Sequence, residues 1–288
     1  MFRRSGPETL VAFARDYGLL REVSPDSVRQ LVMAAELFQR WAGGPVRLDE
    51  LDERSVSLWL RDLAATRAPA TVRSKRVAIL CLWRAAADED LCYPPRRRVR
   101  AARVPVQPVD CWTREEVGAI ATACRRLQRW HPSGLRRSVW WELAVRVAWD
   151  TALRRGDQLA LRVAEIEPTS RATVVQHKTG RAQPIRLGDE TMALLRRSLA
   201  DAPRERVCPW EASEETFCKQ FHRIVGLAGV RQGCWKWLRR ASITDCEAQQ
   251  AGAGGPQGGH APGSRITALS YVNPRIVQGP EPVRPRTI

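Results

Sequence analysis

The stretch TALRRGDQLALR, residues 151–162, decides how the rest of the chain is read. Arg154 follows Asp150-Thr-Ala-Leu and precedes Asp157 and a Leu-Ala-Leu run. Alone it reads as surface helix, because Leu-Arg-Arg recurs at 135–137, 195–197 and 238–240. Its weight comes from four later stretches, in order: HKTG (177–180), WKWLRR (235–240), GGH (258–260) and SYVNP (270–274). These carry Lys178, Lys236, Arg239, His260 and Tyr271. Singly each has an ordinary reading: a turn lysine, a helical i, i+3 pair, a loop histidine, a core tyrosine. Together they hold what is needed to grip a phosphodiester, attack it and protonate the leaving group, with no metal or cofactor required.

Charge points to the same chemistry. The 288 residues carry 47 basic against 31 acidic side chains, a net charge of +16, which predicts a polyanionic partner with nucleic acid ahead of membrane. Only four of the basic residues are lysines, Lys75, Lys178, Lys219 and Lys236. Arginine thus supplies generic positive charge, and lysine becomes informative where it survives. An ammonium can give up its proton as a general acid, which a guanidinium holds too tightly to do. The arginine bias suits a GC-rich bacterial genome. With 44% hydrophobic and 27% charged residues the chain reads as globular. The longest apolar run, Val77 to Trp83, is too short to span a bilayer, and no apolar segment follows Met1 as in a signal peptide. The expectation is a soluble, cytoplasmic, nucleoid-associated protein without a membrane partner. None of the eight cysteines forms a CxxC pair, so reduced core cysteines are expected rather than disulfides or zinc.

Residues 7–92 read as helices. Ser24-Pro25-Asp26 is a start signal, with a capping side chain and proline in the first turn. Val28, Leu31, Val32, Ala35 and Phe38 then recur at helical spacing. Further helices are predicted over 52–65 and from Thr71 to Ala87. The second of these has Arg73, Lys75 and Arg76 in its first turns, as candidate phosphate contacts. Residues 93–108, with four prolines and five arginines, read as a basic extended linker. Arg96, Arg97 and Arg98 in it are further DNA-contact candidates. A capping box at Thr113–Glu116 opens a second unit, with helices predicted over 114–128, 138–150, 190–200, 213–227 and 237–249. RVAEI, ATVVQ and AQPIRL within 161–187 read as short strands. The run AGAGGPQGG, 251–259, is too rich in Gly and Pro for a stable helix and is predicted irregular.

In this order and at these spacings, the stretches resemble the catalytic domain of tyrosine recombinases, the phage-integrase family. The family's T-G-L-R-x-x-E box stands here as T-A-L-R-R-G-D and its K-T-G-like hairpin turn holds Lys178. Its H-x-L-R-H box is Lys236-Trp-Leu-Arg239-Arg240, and its L-G-H is Gly258-Gly259-His260. The resemblance covers roughly 110–273, and the helical 7–92 unit looks like the family's core-binding domain.

The fold it implies is mainly α with a small antiparallel β-sheet. A helical DNA-binding domain (1–92) and the basic linker (93–108) would precede an α+β tyrosine-recombinase-like catalytic domain (109–273) and a Pro-rich tail (274–288). It implies site-specific cutting and rejoining of double-stranded DNA through a 3′-phosphotyrosyl intermediate, by a homotetramer on paired sites. Tyr271 would be the nucleophile, Arg154 and Arg239 the phosphate clamp, Lys178 the acid and His260 a hydrogen-bond donor. Asp157 would orient Arg154 or the active-site hydrogen bonds, and Lys236 stands where the family has a histidine. The glycine-rich run replaces an apolar helix, and the His260–Tyr271 interval is longer by about two residues than the family pattern implies. A DNA-binding relative that no longer cuts, or a type IB topoisomerase-like activity without synapsis, are the alternatives.

Overall fold

Twelve helices and one hairpin form among the described residues of this computed structural model, which are 9–21, 23–105, 108–261 and 264–277. The chain divides into two compact units, Met1–Val106 and Gln107–Ile288.

The first unit holds α1 (Leu10–Leu20), α2 (Pro25–Ala42), α3 (Glu53–Ala64) and α4 (Pro69–Asp88). Side-chain caps start the first three. Thr9 accepts from the Ala12 amide, Ser24 from that of Ser27, and Asp52 from those of Arg54 and Ser55. Proline fills the first turns of α2 and α4, where its missing N–H has no intrahelical partner to lose. Phe13, Phe38, Trp59, Ile79, Leu82 and Trp83 fill the core.

Two of the expected DNA contacts are placed differently from the sequence reading. Lys75 shares the inward stripe of α4 with Val72 and Ile79 and is buried, and that burial holds its ammonium below the usual lysine range. Arg76 turns its guanidinium to the Val99 carbonyl, with Nε at 2.8 Å and Nη2 at 2.6 Å. Arg73, Arg96, Arg97 and Arg98 are exposed. The start of the basic segment lies against its own unit. The Arg96 and Arg97 amides donate to the Glu53 carboxylate at 2.6 and 2.8 Å, and Val99 is buried.

In the second unit α5 (Arg114–Cys124) starts with the expected capping box, Thr113 and Glu116 exchanging bonds of 2.8 and 3.2 Å. Next comes α6 (Arg137–Thr151), whose Trp140, Trp141, Leu143, Ala144, Val145, Val147 and Ala148 are all buried. A helix buried nearly all round is a core helix. Around it Trp141 meets Trp140, Phe217, Phe221 and Trp235 with ring centroids 4.8–6.2 Å apart, mostly tilted or edge-on. Such buried side chains each contribute ~1.5–3 kcal/mol relative to exposure, and they make the scaffold of the site rigid.

After α7 (Arg155–Ala160) the antiparallel hairpin forms from β1 (Arg171–Val175) and β2 (Ala182–Arg186), pairing Arg171 with Arg186 and Val175 with Ala182. RVAEI, expected as a strand, is instead a 3-10 turn over Val163–Glu165. The Glu165 carboxylate takes the Arg162 amide at 2.8 Å, and pairing shrinks to one bridge between Arg162 and Arg206. Helices α8 (Asp189–Asp201), α9 (Glu214–Ala228) and α10 (Lys236–Gln249) follow.

The glycine-rich run also departs from expectation, because Gly254–Gln257 winds one helical turn, α11. Tertiary contacts override the poor propensity. Glu247 accepts the Gly252 and Gly254 amides, both at 2.9 Å. A Cβ on Gly254 would lie 2.9 Å from the Ile243 carbonyl, so glycine is what lets the turn press on α10. Pro256 is the third residue of the turn, where no intrahelical N–H bond is lost. A last short helix, α12 (Arg265–Ser270), leads to Tyr271. Of the Pro-rich tail at 274–288, the part beyond 277 lies outside the described residues. All eight cysteines are unpaired, with Cys111, Cys124 and Cys208 buried and Cys234 exposed. Among the described residues no helix is long and apolar enough to cross a membrane.

Candidate active site

Arg154 is positioned by the bend that ends α6. Ala152 takes the left-handed conformation there, φ 47° and ψ 26°, at a cost of roughly 1–2 kcal/mol for a residue with a Cβ. The bend buries Leu153 and leaves Arg154 at the N-cap of α7. Its Nη1 donates to Gln176 Oε1 and lies 4.0 Å from the carboxylate of buried Asp157. The other Asp157 oxygen accepts the His177 amide at 2.9 Å, which ties α7 to the hairpin turn.

Arg239 lies on α10, one turn after Lys236, and is only 4% exposed. It donates to the Ala152 carbonyl and, at 2.7 Å, to the Gly258 carbonyl. A guanidinium at the C-terminus of α6 is favoured by the helix dipole as well. The same bonds join box-like segments that are 87 and 19 residues from Arg239 along the chain. Burial pushes its guanidinium down from its usual range, though far from neutrality for this side chain.

Tyr271 caps α12. Its amide donates to the Thr267 carbonyl at 3.0 Å, and its carbonyl accepts from Thr244 Oγ1 at 3.1 Å. Thr244, on α10, also accepts the Asn273 amide at 3.0 Å. Arg239 Cζ lies 5.1 Å from the Tyr271 ring centroid and Lys236 Nζ 5.8 Å. The His260 ring is 5.1 Å away at 52°, with its Nδ1 2.9 Å from Thr267 Oγ1. Burial alone would raise the Tyr271 phenol, but Arg239, then Arg154 and Lys236, outweigh it and hold the phenol below the usual tyrosine range. His260 is held below the ordinary histidine range by burial and by Arg239, Arg154 and Arg181, which favours its neutral form.

Arg154, Lys236, Arg239, His260 and Tyr271 thus share one cluster. Lys178 does not join it by any bond: it stands exposed in the turn between β1 and β2, with no hydrogen bond or ion pair to the other five among the described residues. The sequence reading missed the polar residues that hold the cluster together, Gln176, Gln183, Thr244, Gln257 and Thr267. A signal for two of them was present. Gln176 continues the inward positions Ala172 and Val174, and Gln183 precedes Ile185 and Leu187 on the inner face, so period-two alternation points both amides at the core.

Gly259 is fitted to those amides. It has φ +65°, and a Cβ there would collide with Gln176 Nε2 and lie 2.7 Å from Gln183 Oε1. Gly259→Ala is expected to cost roughly 2–3 kcal/mol, combining a left-handed alanine with overpacking. Gly156→Ala is the control: it lies within α7 with nothing within 4 Å and should be neutral or slightly stabilising. Equal melting of the two variants would contradict the assignment.

No protein-family profile matches the sequence, and no curated protein matches it. Solved structures do. A lambda integrase (75–356) dimer bound to a COC′ core site is 19% identical, with a TM-score of 0.73, covering 96% of this chain and 100% of that one. The XerH site-specific recombinase bound to palindromic difH substrate is 15% identical, with a TM-score of 0.68, covering 88% of this chain and 77% of that one. The Tn1549 transposon integrase (82–397) in complex with circular intermediate DNA is 10% identical, with a TM-score of 0.67, covering 92% of this chain and 95% of that one. Mainly helical, with a two-stranded antiparallel sheet between α7 and α8, the chain has the fold of the tyrosine recombinases.

Proposed function

We propose that this protein cuts and rejoins double-stranded DNA at specific sites, with Tyr271 as nucleophile. The observation that carries this reading is the phenol itself, faced by Arg239, Arg154 and Lys236 and held below its usual pKa. A core tyrosine has no need of three cations, whereas a phosphate entering this cluster would meet them all. The phenolate oxygen attacks the scissile phosphorus as the bond to the 5′ oxygen breaks. The electron pair leaves on that oxygen and is protonated by Lys178, carried to it when the hairpin turn closes on the DNA. Arg154 and Arg239 balance the charge that gathers on the non-bridging oxygens. His260 hydrogen-bonds the phosphate, and the phenolic proton leaves to solvent. The phosphotyrosyl ester retains the energy of the phosphodiester, so rejoining is the same step reversed.

The net charge of +16 and the exposed Arg73 and Arg96–Arg98 suit a DNA backbone. A lambda integrase tetramer bound to a Holliday junction is among the similar structures, and a tetramer on paired sites is the arrangement proposed here. The test offers the full-length protein nicked duplexes drawn from the DNA flanking its own gene. A covalent adduct on a denaturing gel, mapped by mass spectrometry to Tyr271, is expected. Absence of adduct on a duplex that the protein protects from nuclease would leave a DNA-binding protein without strand transfer. Relaxation of a plasmid lacking any such site would point instead to topoisomerase-like action.

A further inference from the structure

Two buried amides join the hairpin to Arg154 and its neighbours, and neither takes part in the proposed bond-making and bond-breaking. Gln176 and Gln183 are 1% and 0% exposed. Gln176 Oε1 accepts from Arg154 Nη1 and from Thr179 Oγ1 at 2.8 Å, and its Nε2 donates to Gln183 Oε1 at 2.6 Å. Gln183 Nε2 donates in turn to the carbonyls of Thr151 and Gln257, at 3.0 and 2.9 Å. The network thus runs from the turn that carries Lys178, past Arg154, to the end of α6 and to the glycine-rich turn.

The second observation concerns Asp157. Its Oδ2 is buried without a hydrogen-bond partner, yet lies only 4.0 Å from Arg154 Nη1. A guanidinium beside a buried carboxylate ordinarily closes to a charge-assisted bond of ~2.7–2.9 Å. Here the same Nη1 is taken by Gln176. A carboxylate partner would orient Arg154 but cancel its charge. A neutral amide orients it with no countercharge in contact, Asp157 remaining at 4.0 Å.

We propose that Gln176 is a positioning residue that diverts Arg154 from Asp157, keeping its charge free for the phosphate, and locks that placement to the turn carrying Lys178. The inference rests on reading Arg154 and Tyr271 as parts of one phosphodiester-cutting site. Gly259 lies against the Gln176–Gln183 pair, where a Cβ would collide with Gln176 Nε2 and lie 2.7 Å from Gln183 Oε1.

The test uses Tyr271 as the reporter and needs no DNA. Full-length protein labelled at the tyrosine ζ carbon gives three titration curves by NMR, for Tyr17, Tyr93 and Tyr271. With Gln176→Leu, Arg154 collapses onto Asp157 and the Tyr271 midpoint should rise by roughly half a pH unit or more, while Tyr17 and Tyr93 stay in place. Arg154→Ala should move it the same way, and adding Gln176→Leu in that background should change nothing further. A Tyr271 midpoint unmoved by Gln176→Leu, or shifts that simply add, would overturn the proposal. If Gln176→Leu does not fold, Gln176→Asn, the same amide one methylene short, carries the same comparison. A failure to form the covalent adduct, with this titration as expected, would sink the strand-transfer reading and leave the positioning role standing.

Discussion

A Tyr271→Phe protein is expected to fold and grip DNA as the wild type does while forming no covalent adduct at all. The ring is retained, and with it the packing against Arg239 and His260. The bonds that place residue 271, from its amide to Thr267 and from Thr244 to its carbonyl, use backbone atoms and survive the change. Only the hydroxyl is lost, so melting should move by no more than ~1 kcal/mol. Tyr17 and Tyr93 have other surroundings, Tyr17 beside Cys81 and Arg21 and Tyr93 beside Arg96, and lack the Arg239–His260 setting of Tyr271. In the wild type, the rate of adduct formation should rise with pH as the phenol loses its proton. It should level off below the ordinary tyrosine pKa of ~10, since Arg239, Arg154 and Lys236 favour the phenolate. Lys236→Met should move that inflection to higher pH. Any adduct surviving in Tyr271→Phe would assign the nucleophile elsewhere.

Arg239→Ala should slow single-turnover cleavage by about a hundred- to a thousand-fold, the usual loss for one transition-state donor. The same change also strips donors from two buried carbonyls, Ala152 and Gly258, each at a cost of ~1–3 kcal/mol where water does not replace them. Rate and stability should therefore fall together. Arg239→Lys separates them, keeping the positive charge near Tyr271 but reaching only one of the two carbonyls. It should recover part of the rate while remaining less stable than the wild type. Cleavage by Arg239→Ala within about tenfold of wild type would remove Arg239 from the transition state.

The helical course of the chain was legible because its signals are local. Caps such as Ser24 and Thr113, and apolar recurrence at helical spacing, are written within a few residues of the elements they start. The misses are all tertiary. RVAEI has strand composition, but strands need a partner, and only Arg206 bridges to it among the described residues. The 251–259 run lacks helix propensity, yet the Glu247 carboxylate and the close approach to Ile243 wind its middle into a turn. Lys75 reads as a helix-end charge until its stripe is seen to face inward. At the site, the ordered motifs pointed to the charged groups and the tyrosine that the fold brings together. They passed over Gln176 and Gln183, because amides neither titrate nor attack and reveal themselves only through what they hold.

The double grip of Thr267 has a further consequence. Its hydroxyl meets His260 and its carbonyl takes the amide of Tyr271, so one threonine ties the histidine and the backbone of Tyr271 to the same point. Closing a slightly longer loop costs only tenths of a kcal/mol. Downstream, one helical turn from Thr267 fixes where Tyr271 emerges. Residues added between His260 and Thr267 should therefore leave the placement of Tyr271 unchanged, like slack let into a rope above its knot.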